Sequence, residues 1–247
     1  MQIRAAVACA VVALAALPAH ADDRSHAAGA FALSLDGADS GFVRSAPSME
    51  GGKKTLVIST EQPSGPLLGT VRAFLDGKTS KKNIVLSTPA IIQKANDARL
   101  VDVRFPSYAG GANDLALTFE VPSTSSSPSL RAASDRAKPA GLKLAGFRLS
   151  MGDLPTSEAT RLDSVAVKNK EGAAVPGAFT FDVPSRDAPA WLAWTKKGGA
   201  REGSIEYVSP TGEPILMVKV GGCTPSSAKI DGPVTHVVVQ CTRARSS

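Results

Sequence analysis

The residues able to act as nucleophiles, acids, bases or metal ligands can be weighed one by one in this chain of 247 residues, which has three cysteines and three histidines. Cys223 follows one β-like run near the C-terminus, and Cys241 ends another. If the two runs pair as antiparallel strands, the thiols meet across them. A disulfide between Cys223 and Cys241 would then close a short loop and stabilise the fold by about 3 kcal/mol.

Metal binding is the alternative use of these thiols. After residue 21 the chain has two histidines, His26 and His236, and neither stands at the spacing from the cysteines that zinc ligands have. A Ser-His-Asp triad would also need one of them. His26 lies in a polar stretch and His236 lies within a β-like run, where a structural role is the simpler interpretation. The sequence therefore predicts no catalytic, cofactor-binding or metal-binding residues.

Sequence motifs of other enzyme classes are also missing. There is no Gly-x-Ser-x-Gly elbow, no His-Glu-x-x-His motif and no glycine loop for phosphates or dinucleotides. Aromatic residues make up 5% of the chain, which argues against a stacking platform for sugars or bases. Trp191 and Trp194 belong to a short amphipathic stretch. They are interpreted as core or interface residues, with an exposed sugar-binding surface as the alternative.

These tryptophans belong to a helix–hairpin unit that the chain contains twice. Asp187 can cap a short helix with Pro189 in its first turn, and two strands joined by a proline- and glycine-rich turn follow. An earlier helix, Gly65–Leu75, is also followed by two strand-like runs. Four elements recur in the same order at nearly constant offset, namely a strand, a helix, a pair of strands and a final strand. The sequence therefore predicts a duplicated domain. The matched segments are 31–35 with 147–151, 65–75 with 187–197, 83–87 and 100–105 with 204–208 and 215–220, and 114–121 with 235–241.

The first 21 residues are typical of a secretory signal peptide. Arg4 precedes an apolar run, and Ala19-His20-Ala21 is a small-residue cleavage site, so we expect cleavage after Ala21. The run is too short to cross a bilayer, and no membrane insertion is expected. The protein is predicted to be periplasmic or secreted, an oxidising location that suits a disulfide.

Charge and composition divide the rest of the chain. The formal net charge of +6 comes from scattered lysine pairs and not from a basic stripe with aromatic residues, so no nucleic-acid partner is expected. Residues 122–141 are rich in serine and proline, as linkers are. We predict a flexible leader over 22–29, a β domain over 30–121, the linker over 122–141, and a second β domain over 142–243.

Taken together, these segments resemble the tail-tube proteins of contractile phages and related injection systems. The resemblance implies a mainly β fold (α+β minor) with two tandem tail-tube-like β-barrel or sandwich domains, each with one short helix. It also implies assembly into rings. Two fused copies could supply six similar positions from three chains, so a trimeric or hexameric ring is expected. The residues that carry the resemblance are 31–37 with 41–43, 77–87, 147–151, 190–194 and 203–212.

The expected function is that of an exported, non-enzymatic structural or interaction protein without a cofactor. It would act by self-association or by binding another protein. The alternative is a secreted carbohydrate- or surface-binding β-sandwich protein, which exposure of Trp191 or Trp194 would favour. A secreted hydrolase that uses His236 ranks third.

Overall fold

A computed structural model describes residues 31–50, 53–78, 80–88, 90–109, 114–128 and 141–247. The predicted signal peptide, the leader and residues 129–140 of the predicted linker lie outside these ranges. The described chain is mainly β, as the sequence predicts, and it contains a closed six-stranded barrel, further strands and two short α-helices.

The barrel is built from the first half of the chain. Its strands β1, β2, β3, β6, β5 and β4 pair antiparallel in that order, and β4 pairs back with β1. Alternate side chains point inward and fill the interior, as residues such as Leu33, Ile58, Ile84 and Leu117 show. The elements of this half are β1 (Phe31–Leu35), β2 (Ala38–Glu50), β3 (Lys53–Thr60), α1 (Gly65–Leu75), β4 (Lys81–Ser87), β5 (Ile91–Arg104), β6 (Leu115–Glu120) and β7 (Ser123–Pro128).

The second half forms an open sheet. Its strands pair in the order β8-β13-β14-β15-β12-β9, and β16 adds to β14. Within the described residues no strand pairing joins β8 to β9, so this sheet does not close. The elements are β8 (Gly146–Met151), β9 (Arg161–Leu162), β10 (Ala166–Lys170), β11 (Ala173–Pro176), β12 (Phe179–Pro184), a 3₁₀ turn (Ser185–Asp187), α2 (Ala188–Lys197), β13 (Arg201–Val208), β14 (Pro214–Asp231), β15 (Val234–Gln240) and β16 (Arg243–Ser246).

Strand order corresponds between the two halves. The run β1-β4-β5-β6-β3 of the barrel matches β8-β13-β14-β15-β12 of the open sheet, position by position. In each half a helix precedes the second strand of that run, and a last strand, β7 or β16, pairs beside the third. The correspondence supports the predicted duplication, which stays a prediction.

The two halves are joined by exchanged segments. The β10–β11 hairpin leaves the open sheet and pairs with β5 of the barrel, where Val167 lies opposite Val103. In return, the chain that follows β5 hydrogen-bonds to the second half through Phe105 N to Val165 O and Tyr108 N to Leu162 O. Side chains from both halves therefore form one continuous core.

Three local expectations can be compared with the structure. Both helices lie where the sequence predicts them, with a proline in the first turn of each. Asp187 stands at the N-cap of α2, but its side chain makes no capping hydrogen bond. Within the predicted linker, Ser123–Pro128 forms the strand β7. The reason is that backbone groups pair with β5 regardless of the polar side chains.

Candidate functional site

A cleft opens at one mouth of the barrel, where β7 parts from β3. β6 and β7 follow each other along β5, but β6 also pairs with β3 and β7 does not. The last bond between the two sides runs from Val121 N to Lys54 O, over 3.0 Å. Just beyond it β3 ends, whereas β7 continues along β5. A cleft of about 480 Å³ fills the space between them.

The cleft is apolar at its floor and polar at its rim. Two cross-strand rows run over β4, β5 and β7, namely Ile84–Ala95–Thr124 and Leu86–Gln93–Ser126. Each row begins with a buried aliphatic residue and ends with an exposed hydroxyl residue. Cavities of this size with few polar groups are typical ligand sites, and barrel mouths are a common place for them. The opposite wall is formed by residues 54–56 and Val121.

One wall of the cleft is a strand edge to which no other described strand pairs. The bond from Thr88 N to Ile91 O closes the β4–β5 hairpin and sets the alternation of backbone groups along β5. By that alternation Ser123, Ser125 and Ser127 pair toward β5, while the backbones of Thr124 and Ser126 face the side where β3 has ended. Pro122 and Pro128 bracket this edge. Proline lacks an N–H group, and an edge strand tolerates it because no neighbouring strand needs that donor.

The charges at the cleft are positive. Lys54 lines it from β3, its side chain is exposed, and it makes no ion pair with a described residue. Lys94 borders the cleft as well, but its side chain lies on the opposite face of β5 from Gln93 and Ala95. The described lining contains no carboxylate. A bound group with a negative charge is therefore favoured over a cation at this rim.

The matching place in the second half is closed. There β16, the counterpart of β7, lies against β11, and the side-chain amide of Gln240 donates to Pro176 O over 3.2 Å. Ala174 and Ala244 are both buried, and their small side chains allow the close approach. An open cleft is thus a property of the barrel half and not of the repeated strand order.

His236 lies on β15 between two carboxylates. Its Nδ1 is 2.6 Å from Oδ1 of Asp182 on β12, and its Nε2 is 3.6 Å from Oδ2 of Asp231 at the end of β14. No hydroxyl or thiol hydrogen-bonds to this imidazole within the described residues. The geometry ties neighbouring strands together and lacks the nucleophile that a triad would need.

The remaining residues singled out from the sequence lie in the core. Trp191 and Trp194 are buried and pack edge to face, and Trp191 packs likewise on Phe181. Their interpretation as core residues is confirmed, and an exposed sugar-binding surface at these residues is excluded. Cys223 and Cys241 are joined as a disulfide with an S–S distance of 2.04 Å, and the strands that flank them pair antiparallel, as expected.

In the described part of the chain no three histidine, cysteine, aspartate or glutamate side chains are grouped as a metal site would require. Neither described helix is both long enough and apolar enough to cross a membrane. Comparison of the sequence with known protein families and with curated proteins finds no match.

Sequence reasoning did not find the cleft. Its floor residues belong to β-like runs that predict only a core, and its open edge lies in a stretch interpreted as linker. One signal was present: a run of serine and threonine bracketed by Pro122 and Pro128, directly after a strand, is typical of an exposed edge strand.

Proposed function

We propose that the protein is an exported, non-enzymatic interaction protein that binds another protein chain, or further copies of itself, at the mouth of its barrel. The observation that carries the proposal is the open edge of β7 beside an apolar cleft. Exposed strand edges accept an added strand, and adjacent pockets then select its side chains. Export is supported by the signal-like pattern of residues 1–21 and by the Cys223–Cys241 disulfide.

Self-assembly into a ring is the form of this function that the tail-tube resemblance favours. The corresponding strand order of the two halves supports it, because two similar units per chain would let three chains supply six similar positions. The stretch β2 44–50 is a second open edge at the same mouth, since β1 pairs no further along β2 than Val43 and no other described strand pairs there. A neighbouring copy could add to either edge.

Two rival functions have less support. A carbohydrate-binding surface would require an exposed Trp191 or Trp194, and both side chains are buried. A hydrolase would use His236 as its base, but the ring nitrogens of His236 face Asp182 and Asp231. Neither residue set offers the contact that the rival function needs.

Light scattering on the secreted protein over a range of concentrations, with negative-stain images of the same samples, tests the proposal. We expect the mass to rise to that of a trimer or hexamer with ring-shaped particles. A Ser126→Trp variant, which places a large side chain in the cleft, should reduce this association, and Ser127→Trp on the opposite face of β7 serves as its matched control. A monomer at every concentration would remove self-association and leave binding of another protein.

A further inference from the structure

We propose that the mouth cleft binds an extended peptide segment with alternating apolar side chains and a carboxylate group that lies beside Lys54. This inference rests on the proposed function and names the ligand class for it. Its three parts are a backbone ladder on β7, side-chain sites on the cleft floor, and a charge at the rim.

The backbone ladder is supplied by Thr124 and Ser126. Their N–H and C=O groups face the side of β7 that β3 leaves open, at the position where a neighbouring strand would lie about 4.8 Å away. The strand β7, Ser123–Pro128, is six residues long. At about 3.3 Å per residue, it offers room for an added strand of about the same length.

The floor selects apolar side chains at every second position. An added strand beside β7 turns alternate side chains toward the floor, because successive residues of a strand point to opposite faces. Ile84, Leu86 and Leu56 lie there, each at most 5% exposed. Gln93 and the hydroxyl groups of Thr124 and Ser126 border this surface on the side of β7. Medium-sized aliphatic side chains fit this arrangement better than charged ones.

The rim supplies the charge. Lys54 precedes Leu56 by two residues on β3, so both side chains lie on the face that lines the cleft. Lys94 also borders the cleft, but it alternates with Gln93 and Ala95 on β5, so its side chain lies on the opposite face of the sheet. A carboxylate beside Lys54 would therefore face one cation and no lining anion. An ion pair formed beside an apolar surface is also less screened than one in open solvent.

Fluorescence polarisation with a labelled peptide tests the inference. The probe is a six-residue peptide that alternates valine and threonine, with fluorescein at its N-terminus and a free C-terminal carboxylate. Two matched peptides carry a C-terminal amide, or glycine in place of each valine. We expect saturable binding of the first peptide and at least about tenfold weaker binding of the other two.

Variants assign the binding to the cleft. Lys54→Glu should weaken binding of the free-acid peptide by about tenfold and leave that of the amide nearly unchanged, with Lys219→Glu on the distant strand β14 as the control. Ser126→Trp should abolish binding, whereas Ser127→Trp should retain it. Equal binding of all three peptides, or binding unchanged by Ser126→Trp, would overturn the inference.

Two further outcomes separate this inference from the function on which it rests. If the protein assembles in solution but binds none of the peptides, the cleft assignment fails and the interaction function stands. If it binds the peptide but remains a monomer, self-association fails and the cleft stands. Displacement of the peptide by dodecanoate at a lower concentration than by unlabelled peptide would reassign the cleft to a fatty acid.

Discussion

Tyr108 and Tyr207 are the two tyrosines of the chain, and both lie where the halves meet. Tyr207 is fully buried against Phe105 of the barrel half, and Tyr108 packs on Phe147 of the open sheet. Burial raises the pKa of Tyr108 to about 12. Burial, and to a lesser extent the charge that Tyr108 would carry, raise the pKa of Tyr207 well above its usual value. The contact between the halves therefore favours neutral phenols.

Alkaline pH should destabilise the protein through these two tyrosines. An unfolded tyrosine ionises near pH 10. In the folded protein the pKa of Tyr108 is raised to about 12, and burial holds the pKa of Tyr207 well above its usual value. Ionisation thus stabilises the unfolded state first, and the free energy of unfolding should be unaffected by these groups below pH 10 and fall as the pH rises beyond it. Phenolate absorbance of the folded protein, with urea unfolding at each pH, measures both effects. Phenolate absorbance that appears near pH 10 without unfolding would contradict the burial of both rings.

At the scale of elements, α1 contains a glycine whose replacement should stabilise the protein. Gly69 is exposed in the middle of this helix, and a Cβ atom there would meet nothing within 4 Å. Gly69→Ala should raise the free energy of unfolding by about 0.5–1 kcal/mol, because alanine loses less backbone entropy in a helix. Gly77, just after the helix, is a matched control at which the same substitution should have the opposite effect on stability. Its φ is +73°, and a Cβ atom there would lie 2.8 Å from Gly172 O.

Gly77→Ala should therefore destabilise the protein, in contrast to Gly69→Ala. Urea unfolding of the two variants beside the parent protein measures the difference. Equal effects of the two changes would show that α1 or the turn after it does not have the conformation described.

The elements differ in how far the sequence could predict them. Gly65–Leu75 and the helix after Asp187 are local patterns, with a proline in the first turn and apolar residues at helical spacing, and both lie where predicted. The Cys223–Cys241 pairing followed from two adjacent strand patterns. β7 was missed because its pairing depends on the distant partner β5 and not on its own composition. The same holds for the β10–β11 hairpin, whose addition to β5 no local pattern indicates.

The candidate site could be predicted only in parts. The sequence identified Ile84 and Leu86 as strand residues, but the cleft exists because β3 ends where β7 continues, which is a relation between strands far apart in the chain. His236 was expected to be structural, and the structure adds the two carboxylates that it contacts. Closure of the barrel likewise depends on the long-range β3–β6 and β1–β4 pairings.

At the scale of the whole molecule, the exchanged segments should make the two halves unfold together. Both tryptophans lie in the second half, so their fluorescence reports on that half, whereas circular dichroism reports on strands from both. Because the halves share a core and the β5–β10 ladder, we expect coincident urea transitions by the two signals. Val167→Asp, which places a charge in the shared core, should lower both midpoints together. Two separate transitions in the parent protein would contradict the shared core.

Amide hydrogen exchange tests the proposal that the protein meets its partner at the open edge of β7. The amides of Thr124 and Ser126 face the open side, whereas those of Ser125 and Ser127 pair toward β5 and serve as internal references. Exchange would be measured on the purified protein with and without the free-acid valine–threonine peptide. We expect Thr124 and Ser126 to exchange rapidly in the free protein and slowly in the complex, with the reference amides slow in both. Rapid exchange at Thr124 and Ser126 under saturating peptide would contradict the claim.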